Sequence, residues 1–443
     1  MSKFLFTLVA VFIVASQGVA TEYPYWLEND SVKAIQQRIK DDFSLEINNA
    51  VQILKESYPS VDFDLVRDFI NNKYLESKNI NGKEYLHKKS IGNFKLLYPQ
   101  LNNWKGRGAS PDKEDIDMVY SILSTTNGDG HVNCGNKITY RFSIDVPRYD
   151  FLIGDTLKIW MPIPIESSRQ KNINIISVSH PDYILSNKKS DHNTIYMTEF
   201  ITNQSDSVIH FDYVGEYETY SQYYSPQYIL SNIKAYDKNS FIYKKYTDVS
   251  HKHIIKIDSL AKSIVGDVKC PYQQSELIYN YISQTFPWAG AREYSTIESL
   301  PQYVLDEKHG DCGQVALLYI SLMRSLGIPA RWESGWMLHP WSKNLHDWAE
   351  VYFEGVGWVP IDVSFGRYVN DGNTEVKNFF STGMDNYRFA TNIGICSPLY
   401  PPKKFIRSET VDFQLGEVEC SNGNLFYPGW KKKLEVISIT KIN

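Results

Sequence analysis

The chain of 443 residues carries 46 basic and 51 acidic side chains, a formal net charge of −5 with no long run of one sign. That balance argues against nucleic acid as the partner, because such binding needs a basic patch or stripe. The length exceeds one ordinary core and predicts about two to four domains.

The first residues, "MSKFLFTLVAVFIVASQGVA", combine a positive start at Lys3, an apolar run from Phe4 to Ala15 and small residues at Gly18 and Ala20. They read as a signal peptide over 1–20 and predict export, to the periplasm or the exterior, as a soluble protein. No later stretch approaches the roughly 18 uncharged apolar residues of a spanning helix, so no transmembrane anchor is predicted. In an oxidising compartment the five cysteines, Cys134, Cys270, Cys312, Cys396 and Cys420, leave at least one thiol free or paired with another molecule. With Cys312 as the odd one, Cys396 with Cys420 is the first disulfide candidate, both lying in the terminal segment, although sequence does not fix connectivity.

Residues 21–130 read as helical. "SVKAIQQRIKDDF" spaces Val32, Ile35, Ile39 and Phe43 three or four apart, "NNAVQILKESYP" repeats the pattern, and "SPDKEDIDMVYSIL" offers Ser110 as a cap with Pro111 in the first turn. After the polar "TTNGDGHVNCGN" the period changes to two. "KITYRFSIDV" sends Ile138, Tyr140, Phe142 and Ile144 to one face, and several further strand candidates follow. Residues 131–235 are therefore expected to form an antiparallel, immunoglobulin-like β-sandwich, as a structural module or a ligand-binding one.

Residues 236–390 mix both periods and carry the chemistry. In "HGDCGQVALLYISLMRSLGIPA", Val315, Leu318, Tyr319, Leu322 and Leu326 recur at helical spacing, and Gly327 to Pro329 ends the helix. Cys312 falls in its first turn, where free N–H groups and the macrodipole are expected to lower a thiol pKa and to serve a developing oxyanion. A buried structural cysteine is the competing reading. "HDWAEVYFEGVGWVPIDVS" reads as two strands joined by a turn at Glu354 to Gly357. His346, Trp348, Glu350 and Tyr352 share one face, too polar for a core and expected to wall a cleft. If Tyr352 pairs with Trp358, Asp362 comes within hydrogen-bond reach of His346. Cys312, His346 and Asp362 then supply a nucleophile, a base and an orienting carboxylate, with His339 and His309 as rival bases.

These residues resemble the transglutaminase-like superfamily. Its pattern of Gly-x-Cys opening a helix, Gly-Ile-Pro-Ala-Arg, His-x-Trp-x-Glu-Val and Gly-Trp-x-Pro-x-Asp is matched in order from Gly310 to Asp362, whereas Val363 and Ser364 replace a common Pro-Thr. The resemblance implies a papain-like core, a Cys-bearing helix packed on an antiparallel sheet bearing His and Asp, with Cys312, His346 and Asp362 as catalytic triad. It also implies an oxyanion donor upstream of the cysteine, with Trp288 first and Gln302 or Tyr303 behind it; Trp336, Trp341 and Trp348 are candidates for lining the groove. The arrangement resembles exported bacterial multidomain members. Residues 391–443 are then a C-terminal β extension packing on that core, and the whole an α+β multidomain chain.

The expected activity is acyl transfer at peptide or protein amide bonds through a Cys312 thioacyl intermediate, with water favoured as acceptor. Amine acceptance, giving a glutamine γ-glutamyltransferase that crosslinks proteins, and a non-catalytic scaffold keeping the fold are the alternatives. No cofactor and no metal are predicted; the partner is a peptide or protein substrate, and the sequence sets no oligomeric state.

Overall fold

The computed structural model describes residues 31–442 apart from 100, 102–103, 149–150, 203–207 and 369–371. The predicted signal peptide lies outside the described residues. The architecture is α+β: a helical front segment, a β-sandwich and a core in which one helix packs on an antiparallel sheet.

Helices Ser31–Asp42, Ile47–Ser57, Phe63–Asn71 and Ser90–Leu97 fill much of the front segment. In the first, the apolar spacing does not set the buried face: Ala34, Arg38 and Asp42 are buried while Val32 is exposed. The cause is tertiary. Arg38 donates to the carbonyls of Arg407 and Ser408, and Asp42 accepts from the Glu293 N–H at 2.7 Å and pairs with Lys88. The expected helical run also contains strands Ser77–Ile80 and Lys83–Leu86, paired as a hairpin whose turn residues Asn81 and Gly82 both have positive φ. Asn-Gly is a strong signal for that turn. The helix expected from Ser110 starts later, at Lys113.

The sandwich is present, with two five-stranded antiparallel sheets. One is built on the long strands Asn133–Pro147 and Val208–Tyr223, the other on Thr156–Pro162 and Thr194–Phe200. Ile138, Tyr140, Phe142 and Ile144 are fully buried between them, as the alternation requires. The C-terminal segment divides its contacts. Strand Lys431–Ile442 pairs with Asn133–Pro147 and strand Glu417–Cys420 with Thr156–Pro162, so these strands complete the sandwich rather than the core. Val411 and Gln414, by contrast, reach the core.

The core sheet has strand order Gly357–Ile361, Ser342–Phe353, Ala330–His339, Arg388–Asn392. Helix Cys312–Ser325 lies on it with every residue from Gly313 to Met323 buried, so it is a central helix rather than an amphipathic one. Helices Asp258–Val265, Pro271–Thr285 and Leu300–Glu307 pack around it. Gly335 permits the sheet to close: a Cβ there would sit 1.8 Å from the Phe389 carbonyl oxygen across the bulged pairing with the last strand.

Candidate active site

Cys312 opens its helix, and Asp311 caps it. The Asp311 side chain accepts from the Gln314 N–H at 3.1 Å while the Gln314 side chain accepts from the Asp311 N–H at 3.0 Å, a reciprocal capping box. Tyr294 Oη donates to the same Asp311 carboxylate at 2.7 Å. These contacts fix the backbone at the thiol. From the far side Arg107 donates to the carbonyls of Phe286 and Gly310, holding the segment before the cap.

The strand register is the one that brings His346 and Asp362 together. Tyr352 stands opposite Trp358, and His346 Nε2 lies 2.7 Å from Asp362 Oδ2 in buried surroundings. The other Asp362 oxygen accepts from the Ser364 N–H at 3.1 Å, and the Asp362 N–H donates to the Phe380 carbonyl. Burial pushes the Asp362 carboxyl up, but the charges of His346 and Arg388 outweigh it and hold the carboxyl below its usual range. With Nε2 engaged by Asp362, Nδ1 is the ring nitrogen left for a reacting group.

Cys312, His346 and Asp347 line one groove of about 740 Å³, with Trp288, Asp412 and Tyr427 among its other walls. Asp347 was not singled out in the sequence, yet it touches the candidate nucleophile: Cys312 Sγ donates to Asp347 Oδ2 at 3.5 Å. Gln414 Nε2 holds the other Asp347 oxygen at 2.6 Å and also reaches the His346 carbonyl at 3.1 Å. The expected lowering of the thiol pKa is overturned. Burial, then the Asp347 and Asp311 carboxylates, push Cys312 well above its ordinary value. The helix N-terminus is still there, but its capping carboxylate opposes it. Asp347 itself is pushed well up by burial and by Asp412 and Asp311, and burial moves Asp412 up to about 6.

The remaining candidates separate. Trp288 lies on the groove wall with 46% of its surface exposed. Gln302 does not reach the groove: it faces solvent and bonds Asp306 one turn along its own helix. Tyr303 is buried against Glu76. Trp336 donates to the Gln414 carbonyl and packs toward the sandwich, and Trp348 is fully buried behind His346, stacked at a centroid distance of 6.1 Å. Glu350, on that same strand face, is buried in ion pairs with Arg169 and Arg331. The polar strand face is thus mostly covered by the sandwich, and of it His346 reaches the groove. Trp341 stacks on His339, which is buried between Asp115 and Asp385; His309 is buried beside Tyr303, and burial holds it down at about 4. Neither rival histidine lines the groove.

All five cysteines are free thiols; Cys396 is exposed and Cys420 buried in its strand, and the expected pairing between them is not formed. Among the described residues no group of three or more His, Cys, Asp or Glu side chains is placed to hold a metal ion. No helix among them is long and apolar enough to cross a membrane.

Comparison with known proteins bears on this site directly. Residues 258–363 match the model of the Transglutaminase-like superfamily. The uncharacterized protein YebA of Bacillus subtilis is 26% identical over 188 residues, which are 37% of this chain and 25% of YebA, so the chain spans about a quarter of that relative. Among solved structures, a candidate cysteine protease from Cytophaga hutchinsonii aligns with a TM-score of 0.46 at 14% identity, over 70% of this chain and 92% of that one. The periplasmic domain of TgpA from Pseudomonas aeruginosa aligns with a TM-score of 0.26 at 12% identity, over 59% of this chain and 92% of its own. The matched span holds the capped helix, both strands of the hairpin and each of Cys312, His346 and Asp362. Residues 258–363 of this chain are a transglutaminase-like domain.

Proposed function

We propose that the protein is an exported cysteine hydrolase that cleaves peptide or related amide bonds through a thioacyl intermediate on Cys312. The observation that carries the reading is the buried 2.7 Å contact of His346 with Asp362 on the wall of the groove that also exposes Cys312 at a helix N-terminus. His346 takes the thiol proton, Sγ bonds to the substrate carbonyl carbon, and the C–N bond breaks as the imidazolium returns that proton to the leaving amine. Water, deprotonated by the same imidazole, then attacks the thioester carbonyl, and the C–S bond breaks to regenerate the thiol. Asp362 keeps Nε2 protonated and offsets the charge that forms on the ring. The first helical N–H groups beside Cys312 are oriented to receive the developing oxyanion. Export is read from the N-terminal sequence pattern, and water as acceptor from the absence in the sequence of any dedicated amine-site signature.

The test is to incubate the chain and its Cys312→Ala variant with a peptide and protein library, with and without a primary amine, and follow products by mass spectrometry. Cleaved amides that vanish in the variant support hydrolysis. Amine-adducted glutamines would assign crosslinking instead. Identical product profiles from the two proteins, with Cys312 unlabelled by iodoacetamide, would reject enzymatic function.

A further inference from the structure

Behind the proposed base lies a second set of charges that the hydrolytic reading does not use. Strand Arg388–Asn392, outside the matched domain, pairs along Ala330–His339 and brings Arg388 under the Asp362 carboxylate. Arg388 Nη1 lies 2.9 Å from Asp362 Oδ2, the oxygen that His346 also engages. On its other side the guanidinium lies 2.7 Å from Asp385 Oδ2, and its Nε donates to that oxygen at 2.8 Å. Asp385 is held in turn by the Tyr387 N–H at 2.9 Å and faces His339 Nε2 at 3.2 Å. Arg388, Asp385 and Asp362 are almost fully buried, and the guanidinium is boxed between the rings of Trp348 and Phe365 at about 5 Å.

A buried carboxylate with one neutral imidazole partner would tend to take up a proton, because burial penalises its charge by several kcal/mol. A guanidinium at 2.9 Å reverses that preference. We propose that Arg388 is a positioning residue for the candidate triad, tying Asp362 to Asp385 so that Asp362 stays ionised and aimed at His346. The inference rests on the Cys312, His346 and Asp362 reading and extends that site to a residue of the last core strand. Two carboxylates on one guanidinium make the arrangement adjustable: Asp385 draws Arg388 away from Asp362, and removing the Asp385 charge releases it toward Asp362. The charged and titratable groups around Asp362 are His346, Arg388, Asp385, Arg107, Tyr279, Tyr368, Asp347 and the Cys312 thiol itself.

The experiment needs no substrate. Iodoacetamide alkylation of Cys312 is followed against pH in the full chain and in Arg388→Met, Arg388→Lys, Asp385→Asn and His346→Ala, with thermal melts to establish folding. In Arg388→Met the acid limb of the profile moves to higher pH by about 1 unit or more, because Asp362 loses its cation and protonates sooner. Arg388→Lys, which keeps the charge without the fork, restores part of that shift. Asp385→Asn, nearly isosteric, moves the limb in the opposite direction, so the inference stays testable even if Arg388→Met does not fold. A folded Arg388→Met whose profile overlays that of the parent, or an Asp385→Asn profile that is unmoved or moves to higher pH, overturns the role of Arg388. If His346→Ala also alkylates with the parent profile, the triad itself is wrong, which separates failure of the inference from failure of the reading beneath it.

Discussion

At the scale of single residues the site is defined by which carboxylates face the thiol. Asp362 acts on His346 from behind, whereas Asp347 contacts Cys312 directly and raises its pKa together with burial and Asp311. Replacing Asp347 with Asn keeps the shape and removes the charge, so the thiolate becomes easier to form. The Asp347→Asn variant is expected to alkylate severalfold faster than the parent at neutral pH, because the thiolate no longer forms against that carboxylate. A rate equal to or below that of the parent would mean that Asp347 does not hold the thiol protonated. Asp347 was within reach of sequence reasoning. Strand alternation puts it with Ala349, Val351 and Phe353, all of which face the buried helix, and a carboxylate on such a face needs a partner. Arg388 was not, because its place beside Asp362 depends on a strand pairing that no local pattern encodes.

At the scale of elements, helix Cys312–Ser325 and the hairpin Ser342–Ile361 were legible because local signals define them: apolar residues at helical spacing after Cys312, a Gly-Ile-Pro stop and two strands around a glycine turn. Alternation and loop length left the register conditional on Tyr352 pairing with Trp358, and that pairing is the one present. What the sequence did not reveal came from distant partners. The face of Ser31–Asp42 that is buried is the one meeting Arg407 and Ser408, and the terminal strands pair with sandwich strands that lie far back along the chain. The capping box also has a measurable weight. Asp311→Ala removes the acceptor for the Gln314 N–H and for Tyr294 Oη, and is expected to lower stability by about 1 to 2 kcal/mol in chemical denaturation. A helical glycine limits the same turn. A Cβ at Gly313 would lie 2.4 Å from Tyr294 Oη and 2.6 Å from Asp347 Oδ2, so Gly313→Ala must displace the two side chains that surround the thiol. That variant is expected to fold with altered Cys312 reactivity, read by the same alkylation assay; unchanged reactivity in a folded protein would remove Tyr294 and Asp347 from the account of the thiol.

At the scale of the whole molecule, the groove is assembled from segments far apart in sequence, and its burial of charge couples folding to pH in two opposite senses. His309 sits buried beside Tyr303 just before helix Cys312–Ser325, and burial with the nearby Arg107 and Lys73 charges holds it down at about 4. In the unfolded chain a histidine titrates near ~6.5. Below that pH the unfolded state binds a proton that the folded state refuses, so the His309 contribution is lost as pH falls from about 6.5 to about 4 and is constant below. Glu293, on the groove wall, behaves in the reverse sense: burial raises it to about 7 despite the Arg38 charge. Its folded state takes up a proton that an unfolded glutamate, at ~4.3, still refuses, so acidification through that range stabilises the fold. The two residues therefore have distinguishable signatures in pH-dependent unfolding. His309→Gln is expected to gain stability relative to the parent as pH is lowered from 7 to 4, by roughly 3 kcal/mol at most, since each tenfold in proton affinity is worth ~1.4 kcal/mol. Glu293→Gln is expected to show its advantage at pH 8 and to lose it progressively toward pH 5. Urea unfolding at several pH values reads both slopes. Parallel curves for parent and variants would show that neither group is held away from its unfolded titration by the folded chain.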